Sequence, residues 1–300
     1  MNIRNIDEES ILLSSGEIAS RDETWTNPHA EVPTSLKAMF QSIWQNKSLV
    51  VQISKLEIVA RYKGSMLGIL WAFGTPLLML AVYTFAFSVV FQAKWGDIGG
   101  GKGAFAMVLF TGMIIHALLA EMLIRSPLFI VTNSNYVKKV VFPLEILPVA
   151  GIITALFQIT VSTIVLLAGI FLTFGTLHWT ILLFPLVVLP FAVLSLGIGW
   201  LLASLGVFLR DIGQIMGVVS TVLLFLAPIF YPLRAIPEKY QFIILSNPLT
   251  FIVEQARAVL ILGRLPDWLG LVIYLCVAML VAWGGFAWFQ KTRKGFADVL

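Results

Sequence analysis

The sequence is poor in charged residues and in cysteine, and each shortage excludes a class of protein. Charged side chains make up only 12% of its 300 residues, against about 25% in a typical soluble chain. Hydrophobic residues make up 59%, so a soluble fold would have too little polar surface to remain dispersed. The one cysteine, Cys276, lies in an apolar run and excludes an internal disulfide framework. We therefore expect an integral membrane protein.

The amino-terminal segment is polar and acidic, unlike the rest of the chain. Residues 1–31 contain seven acidic residues and only two basic ones, Arg4 and Arg21. Because this stretch has no sustained apolar periodicity, residues 1–34 are interpreted as a flexible cytoplasmic tail. The tail lacks the basic start and early apolar core of a secretory signal peptide, so the first membrane span is expected to act as the insertion signal.

Six apolar segments are candidates for the helices of about 20 residues that cross a bilayer. Numbered as spans 1–6, they cover residues 67–91, 104–124, 146–174, 181–207, 215–229 and 268–290. Span 5 is short, and Pro228 and Pro232 follow closely on its outer end. Since backbone polar groups in lipid must be bonded within the protein, the predicted fold class is an all-α membrane bundle of six transmembrane helices.

Basic residues beside the spans indicate which ends are cytoplasmic. Nine of them would share one side of the membrane: Arg61, Lys63, Arg125, Lys138, Lys139, Arg210, Lys291, Arg293 and Lys294. The other side has Lys94 and Lys102 in one short loop. The positive-inside rule therefore predicts that both termini lie in the cytoplasm. The net charge of +4 is attributed to this topology signal and not to a nucleic-acid surface.

Residues 35–63, which precede span 1, are amphipathic. Apolar residues recur at helical spacing from Leu36 onward, and lysines and Trp44 lie among them. This pattern is typical of an interfacial helix in the headgroup plane, although a soluble helix packed on another subunit is the alternative. At its end, Arg61, Tyr62 and Lys63 form a cationic turn. The two charges could snorkel to lipid phosphates or contact an anionic substrate headgroup.

The region 231–267 contains two apolar stretches that are separated by Asn247 and Pro248. A seventh span here would bury Glu254 and Arg257, each at a cost of about 2.5–3.5 kcal/mol at the bilayer centre. The favoured interpretation is two short helices that dip into the outer leaflet and return. Irregular backbone at that depth is tolerated only inside protein or beside a water-filled cavity. Re-entrant helices between spans 5 and 6 therefore hint at an aqueous pathway.

The chain contains no complete motif for nucleotide hydrolysis or for metal binding. Residues 96–103 mimic a phosphate-binding loop, but Gly103 stands where a Ser or Thr should hold magnesium. The histidines His29, His116 and His178 are far apart and are not joined by a cysteine or carboxylate cluster, so no metal site is predicted. The spans are nearly free of the buried charges that proton-coupled carriers use.

Aromatic residues recur along span 1. Trp71, Tyr83 and Phe87 are separated by multiples of four residues and are expected on one helix face. Such a face could stack on the apolar faces of neutral sugar rings, which makes the three residues candidates for lining a channel. Helix packing or lipid contact is the alternative interpretation.

Four runs of the sequence resemble the membrane subunits of type-2 ATP-binding-cassette exporters of polysaccharides. They are residues 61–71 with Thr75 and Pro76, residues 133–148, residues 208–212, and Asn247 with Pro248. In that family they correspond to the start of the membrane domain, the cytoplasmic loop into span 3, the next cytoplasmic turn and the break between two outer gate helices. The likeness covers roughly residues 35–295 and makes residues 64–300 a six-span permease domain.

The resemblance implies a homodimeric channel in the bacterial inner membrane with two copies of a separate ATPase subunit docked on its cytoplasmic face. The cargo would be a polysaccharide linked to polyprenyl pyrophosphate, such as O antigen, with teichoic acid or capsule as alternatives. ATP and magnesium would bind to the partner ATPase, so this chain is expected to be neither an enzyme nor dependent on a cofactor.

The resemblance also assigns roles to residues. Arg61, Tyr62 and Lys63 would meet the lipid pyrophosphate. The coupling and gating loop would use Asn133, Asn135, Lys138, Lys139, Phe142 and Glu145, with Arg210 and Asp211 in the next turn. The outer gate helices would use Glu238, Asn247, Pro248, Glu254 and Arg257.

Two other classes of protein compete with an exporter. A membrane enzyme of glycan assembly would need clustered carboxylates on one aqueous side, whereas Asp97, Glu238 and Asp267 are scattered along the sequence. An inert assembly subunit is the other alternative. A neighbouring gene for an ATPase with a complete phosphate-binding loop would favour the exporter over both.

Overall fold

The computed structural model describes residues 34–91, 103–139 and 142–300, without the side chains of Lys138 and Lys139. The acidic tail up to residue 33, the loop with Lys94 and Lys102, and most of the phosphate-loop mimic lie outside these residues. Within the described ranges every regular element is a helix and there is no β-strand. The predicted all-α class is therefore confirmed for this part of the chain.

Two amphipathic helices, Leu36–Gln45 and Lys47–Tyr62, precede the spans. The first begins where the Ser35 hydroxyl accepts a hydrogen bond from the Ala38 amide at 3.2 Å, a typical helix N-cap. Each helix buries part of one face against the bundle and leaves large apolar side chains exposed, among them Trp44. The predicted amphipathic region is thus a pair of helices with a break at Asn46.

In the part of the chain that the structure describes, five helices are long and apolar enough to cross a membrane: Gly68–Val90, Ala104–Leu128, Ile146–Phe174, Trp179–Phe208 and Trp268–Val299. They correspond to spans 1, 2, 3, 4 and 6. Span 3 has the predicted limits, because Gly175 adopts a left-handed φ of 73° and ends the helix after Phe174. Span 2 is the most enclosed of the five and forms the centre of the bundle.

Span 1 is not a uniform α-helix. It starts with a 3₁₀ turn at Gly68–Leu70, continues as an α-helix over Trp71–Tyr83, and finishes as a π-helix over Thr84–Val90. The wider i→i+5 bonding of a π-helix changes the side-chain period. Spacing in the sequence alone therefore does not establish how Phe87 lies relative to Trp71, and the single aromatic face stays a prediction.

Span 5 is shorter than predicted. Its helix, Ile212–Phe225, has 14 residues and is about 21 Å long, less than the roughly 30 Å of a hydrocarbon core. The predicted end at Ile229 is wrong, because the chain leaves the helix at Leu226 and buries Ala227, Pro228 and Ile229 in the turns that follow.

Two short helices follow span 5, Glu238–Leu245 and Pro248–Leu260, and they meet at an angle of 90°. Asn247 caps the second helix, since its side-chain Oδ1 accepts a hydrogen bond from the Leu249 amide at 3.0 Å, and Pro248 occupies the first helical position, where its missing N–H costs nothing. The Asn247 Nδ2 also donates to the Leu223 carbonyl at 2.8 Å. The predicted break at Asn247 and Pro248 is confirmed, and the Asn247 side chain links it to span 5 by a hydrogen bond.

Spans 4 and 6 make the most extensive helix contact in the described chain. A Cβ atom built on Gly197 would lie 2.6 Å from the Ala282 backbone, and one built on Gly285 would lie 2.1 Å from the Gly197 carbonyl oxygen. The absence of side chains at these two glycines is what permits the approach, as in many membrane helix pairs.

Candidate functional site

Four charged side chains form an ion cluster where the second amphipathic helix meets the carboxyl-terminal end of span 2. Arg125 donates to Glu57 at 2.7 Å and to Glu121 at 2.8 Å, and Arg61 also pairs with Glu121. The pairing of Glu121 with Arg125 agrees with their i, i+4 spacing. The two arginines and two glutamates sum to zero charge, so the cluster fastens two elements together without presenting an excess cation.

The cationic turn at the end of the second amphipathic helix contains three residues whose contacts differ. Arg61 belongs to the ion cluster. The Tyr62 hydroxyl donates to the Gln158 side-chain carbonyl of span 3 at 2.9 Å. Lys63 is exposed and has no ion pair within the described ranges. Of the two cations in the predicted headgroup turn, Lys63 is the one that no acidic side chain neutralises in the described part of the chain.

A cavity of about 340 Å³ lies beside the ion cluster. It is lined by Glu57, Arg125, Leu128, Phe129, Thr132 and Asn133. The guanidinium of Arg125 lies 5.5 Å from the centre of the Phe129 ring, a cation–π distance. The cavity thus connects the amphipathic helix with the start of the predicted coupling loop.

The predicted coupling loop over residues 133–142 is called the coupling segment below, and the structure describes it at residues 133–139 and at Phe142. Asn133 donates its side-chain amide to the Phe129 carbonyl at 2.9 Å, and a helix follows over Ser134–Lys139. The Tyr136 and Phe142 rings are stacked with centroids 4.4 Å apart and 10° between their planes. Asn135 and Tyr136 are exposed, while the side chains of Lys138 and Lys139 lie outside the described atoms.

Glu145, just after the coupling segment, is buried at 6% exposure. Lys138 and Lys139 are its nearest basic residues in the sequence. Its carboxylate instead accepts a hydrogen bond from Ser42 at 2.7 Å and one from Arg293 at 3.0 Å. Ser42 lies on the first amphipathic helix and Arg293 at the carboxyl-terminal end of span 6, and sequence reasoning identified neither as a partner.

Arg210 and Asp211 lie in the turn between spans 4 and 5, and both are exposed. Asp211 accepts a backbone hydrogen bond from Gln214 at 3.0 Å and so begins span 5. Close by in sequence, Gly206 packs against the backbone of Pro127, where an added Cβ would lie 2.1 Å from the carbonyl oxygen. This turn is therefore at the same end of the bundle as the coupling segment.

Two of the three aromatic residues predicted on span 1, Tyr83 and Phe87, contact rings outside span 1. Phe87 stacks on Phe105 of span 2 at 5.2 Å, and the Tyr83 ring lies 6.3 Å from the Phe110 ring. Phe87 is also 6.5 Å from Phe230, which follows span 5. Trp71 alone of the three predicted residues is an exposed large aromatic. Channel lining by Tyr83 and Phe87 stays a prediction, and the residues they contact were not identified from the sequence.

Arg257 is the most deeply buried charge of the two bent helices that follow span 5, at 3% exposure. Its guanidinium donates to the Pro228 carbonyl at 2.6 Å, to the Ile229 carbonyl at 3.2 Å and to Glu254 at 2.7 Å. These acceptors take the place of water around the buried guanidinium. Glu254 keeps 45% of its side chain exposed, and Glu238 is exposed at the start of its helix.

The turn after span 5 also contains Tyr231, whose phenol group contacts the backbone. Tyr231 donates its hydroxyl to the Phe225 carbonyl at 2.5 Å, one of the carbonyls that the end of the helix leaves without an amide partner. Burial raises the pKa of Tyr231 above its usual value. Together with Arg257, this phenol satisfies the backbone where span 5 stops short.

The described residues bring no three His, Cys, Asp or Glu side chains together in an arrangement that could hold a metal ion. His116, inside span 2, has its Nε2 atom 3.0 Å from the Ser220 carbonyl and 3.2 Å from the Ser220 hydroxyl. It links span 2 to span 5, which is a structural contact between helices.

Apolar spans, an ion cluster at one end and bent helices at the other define a polytopic membrane protein. The chain belongs to the ABC-2 type transporter family, whose family model matches residues 35–261. The resemblance to type-2 ATP-binding-cassette exporters that the sequence indicated is confirmed.

Three relatives illustrate this membership. The O-antigen export system permease protein RfbA of Myxococcus xanthus is 27% identical over 264 residues, which cover 87% of this chain and 98% of the relative. RfbA of Klebsiella pneumoniae is 26% identical over 255 residues, with 84% and 95% covered. The polysialic acid transport protein KpsM of Escherichia coli is 24% identical over 245 residues, with 79% and 90% covered. These names indicate a transport subunit and not an enzyme.

Proposed function

We propose that this chain is the channel-forming permease of an ATP-driven exporter that moves a lipid-linked polysaccharide of the O-antigen type across the bacterial inner membrane. The observation that carries the proposal is the match to two O-antigen permeases along 95–98% of their length. Capsule export is the alternative cargo class, and similarity to a polysialic acid transport protein supports keeping it. Teichoic acid export remains compatible with the same architecture.

The proposed assembly contains two copies of this chain and two copies of a separate ATPase subunit, which binds ATP and magnesium. Both termini lie in the cytoplasm. The coupling segment and the Arg210–Asp211 turn are the proposed docking points for the ATPase. Their exposed residues at one end of the bundle support this assignment, since a docked subunit needs an accessible surface.

The lipid pyrophosphate would approach at the cationic turn, with Lys63 as the first contact. Lys63 supports this role because it is exposed, whereas Arg61 already neutralises Glu121. The glycan would then pass the aromatic residues of span 1, beginning with the exposed Trp71. A cation next to an anionic headgroup and a rigid aromatic face next to sugar rings are the interactions that such a cargo requires.

The outer helices over residues 235–262 would form the outer gate as a re-entrant pair. Two hydrogen bonds support a path that returns to the same face. Asn247, before the second helix, binds the Leu223 carbonyl near the end of span 5. Near the end of that helix, the Val259 carbonyl accepts from the Thr180 hydroxyl at 2.6 Å, where span 4 begins. Both contacts are with ends of spans that the topology places outside.

Removal of the gene tests the proposed function. Cells without the chain should lose a surface polysaccharide and accumulate the same glycan on a polyprenyl carrier inside the membrane. Re-expression should restore the surface polysaccharide and remove the internal accumulation. If the lost glycan is attached to lipid A the cargo is O antigen, and if it is attached otherwise the cargo is capsule or teichoic acid. Unchanged surface polysaccharide would contradict the exporter, and loss without internal accumulation would indicate an enzyme of glycan assembly.

A further inference from the structure

Glu145 is a buried carboxylate at which four separate parts of the chain meet. One carboxylate oxygen accepts from Ser42 and the other from Arg293. The backbone carbonyl of Glu145 accepts from the Trp200 indole of span 4 at 2.8 Å. Hydrogen bonds therefore link Glu145 to three elements that are distant from it in the sequence.

Arg293 links Glu145 to a second group, the Phe142 carbonyl. Its second guanidinium nitrogen donates to the Phe142 carbonyl at 2.6 Å, and Phe142 is the last residue of the coupling segment. A guanidinium is a rigid planar fork whose donors cannot move independently of one another. Arg293 thus holds the end of the coupling segment and the Glu145 side chain in one fixed geometry.

A buried carboxylate is costly without its hydrogen-bonding partners. Displacing Glu145 away from Ser42 and Arg293 is therefore less favourable than moving all three together. The elements that carry these residues should consequently shift as one body when the coupling segment is pushed.

We propose that Ser42 and Arg293 are positioning residues that fasten the first amphipathic helix and the inner end of span 6 to the coupling segment through Glu145. This tie rests on the proposed function, in which a docked ATPase pushes on the exposed part of that segment. The push is transmitted to the amphipathic helix and to span 6 together. Without the tie, ATP hydrolysis continues while less of its displacement reaches the spans.

The chain offers matched controls for both residues. Lys291 is exposed and lies two residues before Arg293 at the same helix end, so Lys291→Gln removes the same charge without touching Glu145. Ser204 shares a 2.6 Å hydrogen bond with Thr292, so Ser204→Ala removes a hydroxyl contact between spans 4 and 6 that does not involve the coupling segment. Lys291→Gln controls for the loss of a positive charge, and Ser204→Ala controls for a change in local packing.

The test uses cells in which each variant replaces the chromosomal copy. Surface polysaccharide is measured as total sugar on washed intact cells. The complex with its ATPase is purified through a tag on this chain, and its ATP hydrolysis and melting temperature are measured in nanodiscs. Arg293→Gln and Ser42→Ala should keep the ATPase rate of their controls, while polysaccharide exported per ATP falls about fivefold, a typical size for coupling between sites. A lower melting temperature is expected for Arg293→Gln, because Glu145 loses a buried partner, and the loss of export should exceed what the lower amount of folded complex explains. Arg293→Lys should restore export in part, because lysine keeps one charge for Glu145 but has no second arm for Phe142.

The proposal is overturned if Arg293→Gln and Ser42→Ala export as much per ATP as Lys291→Gln and Ser204→Ala. It is also overturned if export falls only in proportion to ATPase rate and melting temperature, because that result describes a purely structural contact. If Arg293→Gln does not accumulate, Ser42→Ala decides by the same criteria. Failure of the exporter itself is distinguished by the gene removal, which would then leave surface polysaccharide unchanged.

Discussion

At the scale of single residues, Arg257 shows how a charge can be buried in an apolar bundle. Its main acceptors are the Pro228 and Ile229 carbonyls, which the early end of span 5 leaves without helical partners. The contact with Glu254 adds little, since that carboxylate is half in solvent. Arg257 thus compensates for the shortness of a neighbouring helix.

Arg257→Met is expected to lower the free energy of unfolding by about 2–4 kcal/mol, because two buried carbonyls lose their donors. The measurement is thermal unfolding of the detergent-solubilised protein. Arg234→Met is the control, since Arg234 is an exposed arginine in the same outer region. Equal melting temperatures for the two variants would show that Arg257 has no such role.

Lys63→Gln is expected to weaken the contact with the lipid pyrophosphate about fivefold, which corresponds to about 1 kcal/mol per exposed basic residue beside anionic headgroups. The assay is surface polysaccharide in cells with limiting amounts of the permease, with Lys55→Gln on the same exposed helix as control. The double variant Arg61→Ala with Lys63→Ala should lose more, because Glu121 then also loses one of its cations. Unchanged export in the double variant would remove the cationic turn from the mechanism.

At the scale of helices, apolar composition and the positions of glycine and proline predict where a helix lies in the sequence. They do not predict how two helices approach each other. Span 3 has its predicted limits because a glycine follows it directly. The limits of span 5 were missed because apolar residues continue through the turns after Phe225. Gly213 and Gly217 have the spacing of a close-packing motif, yet an added Cβ at either meets no described atom within 4 Å. Gly197 and Gly285, on different spans, make the close contact instead, and no local spacing relates them.

Gly285→Ala is expected to destabilise the protein by about 1–3 kcal/mol, because the new methyl group would overlap the Gly197 carbonyl and force the two spans apart. Gly284→Ala is the matched control, since no described atom lies within 4 Å of a Cβ placed there. Thermal unfolding in detergent compares the two. A Gly285→Ala protein as stable as Gly284→Ala would mean that spans 4 and 6 can separate without cost.

At the scale of the whole molecule, the sequence predicted the membrane class, the amphipathic segment and the helix break at Asn247, because each leaves a local pattern. The partners of Glu145 could not be predicted in this way. Ser42 is 103 residues before it and Arg293 is 148 residues after it. Only the folded bundle brings them together, and a basic residue near a span end has the same sequence signature whether it sets topology or holds a carboxylate.

The central claim is that this chain forms a transport pathway whose energy comes from a separate ATPase. The most direct measurement is purification of the tagged chain from mild detergent, followed by mass spectrometry of the proteins and lipids that accompany it. An ATPase subunit in equimolar amount, together with a polyprenyl-linked sugar, is the predicted result. Recovery of the chain alone, even after gentle crosslinking in intact cells, would contradict the account.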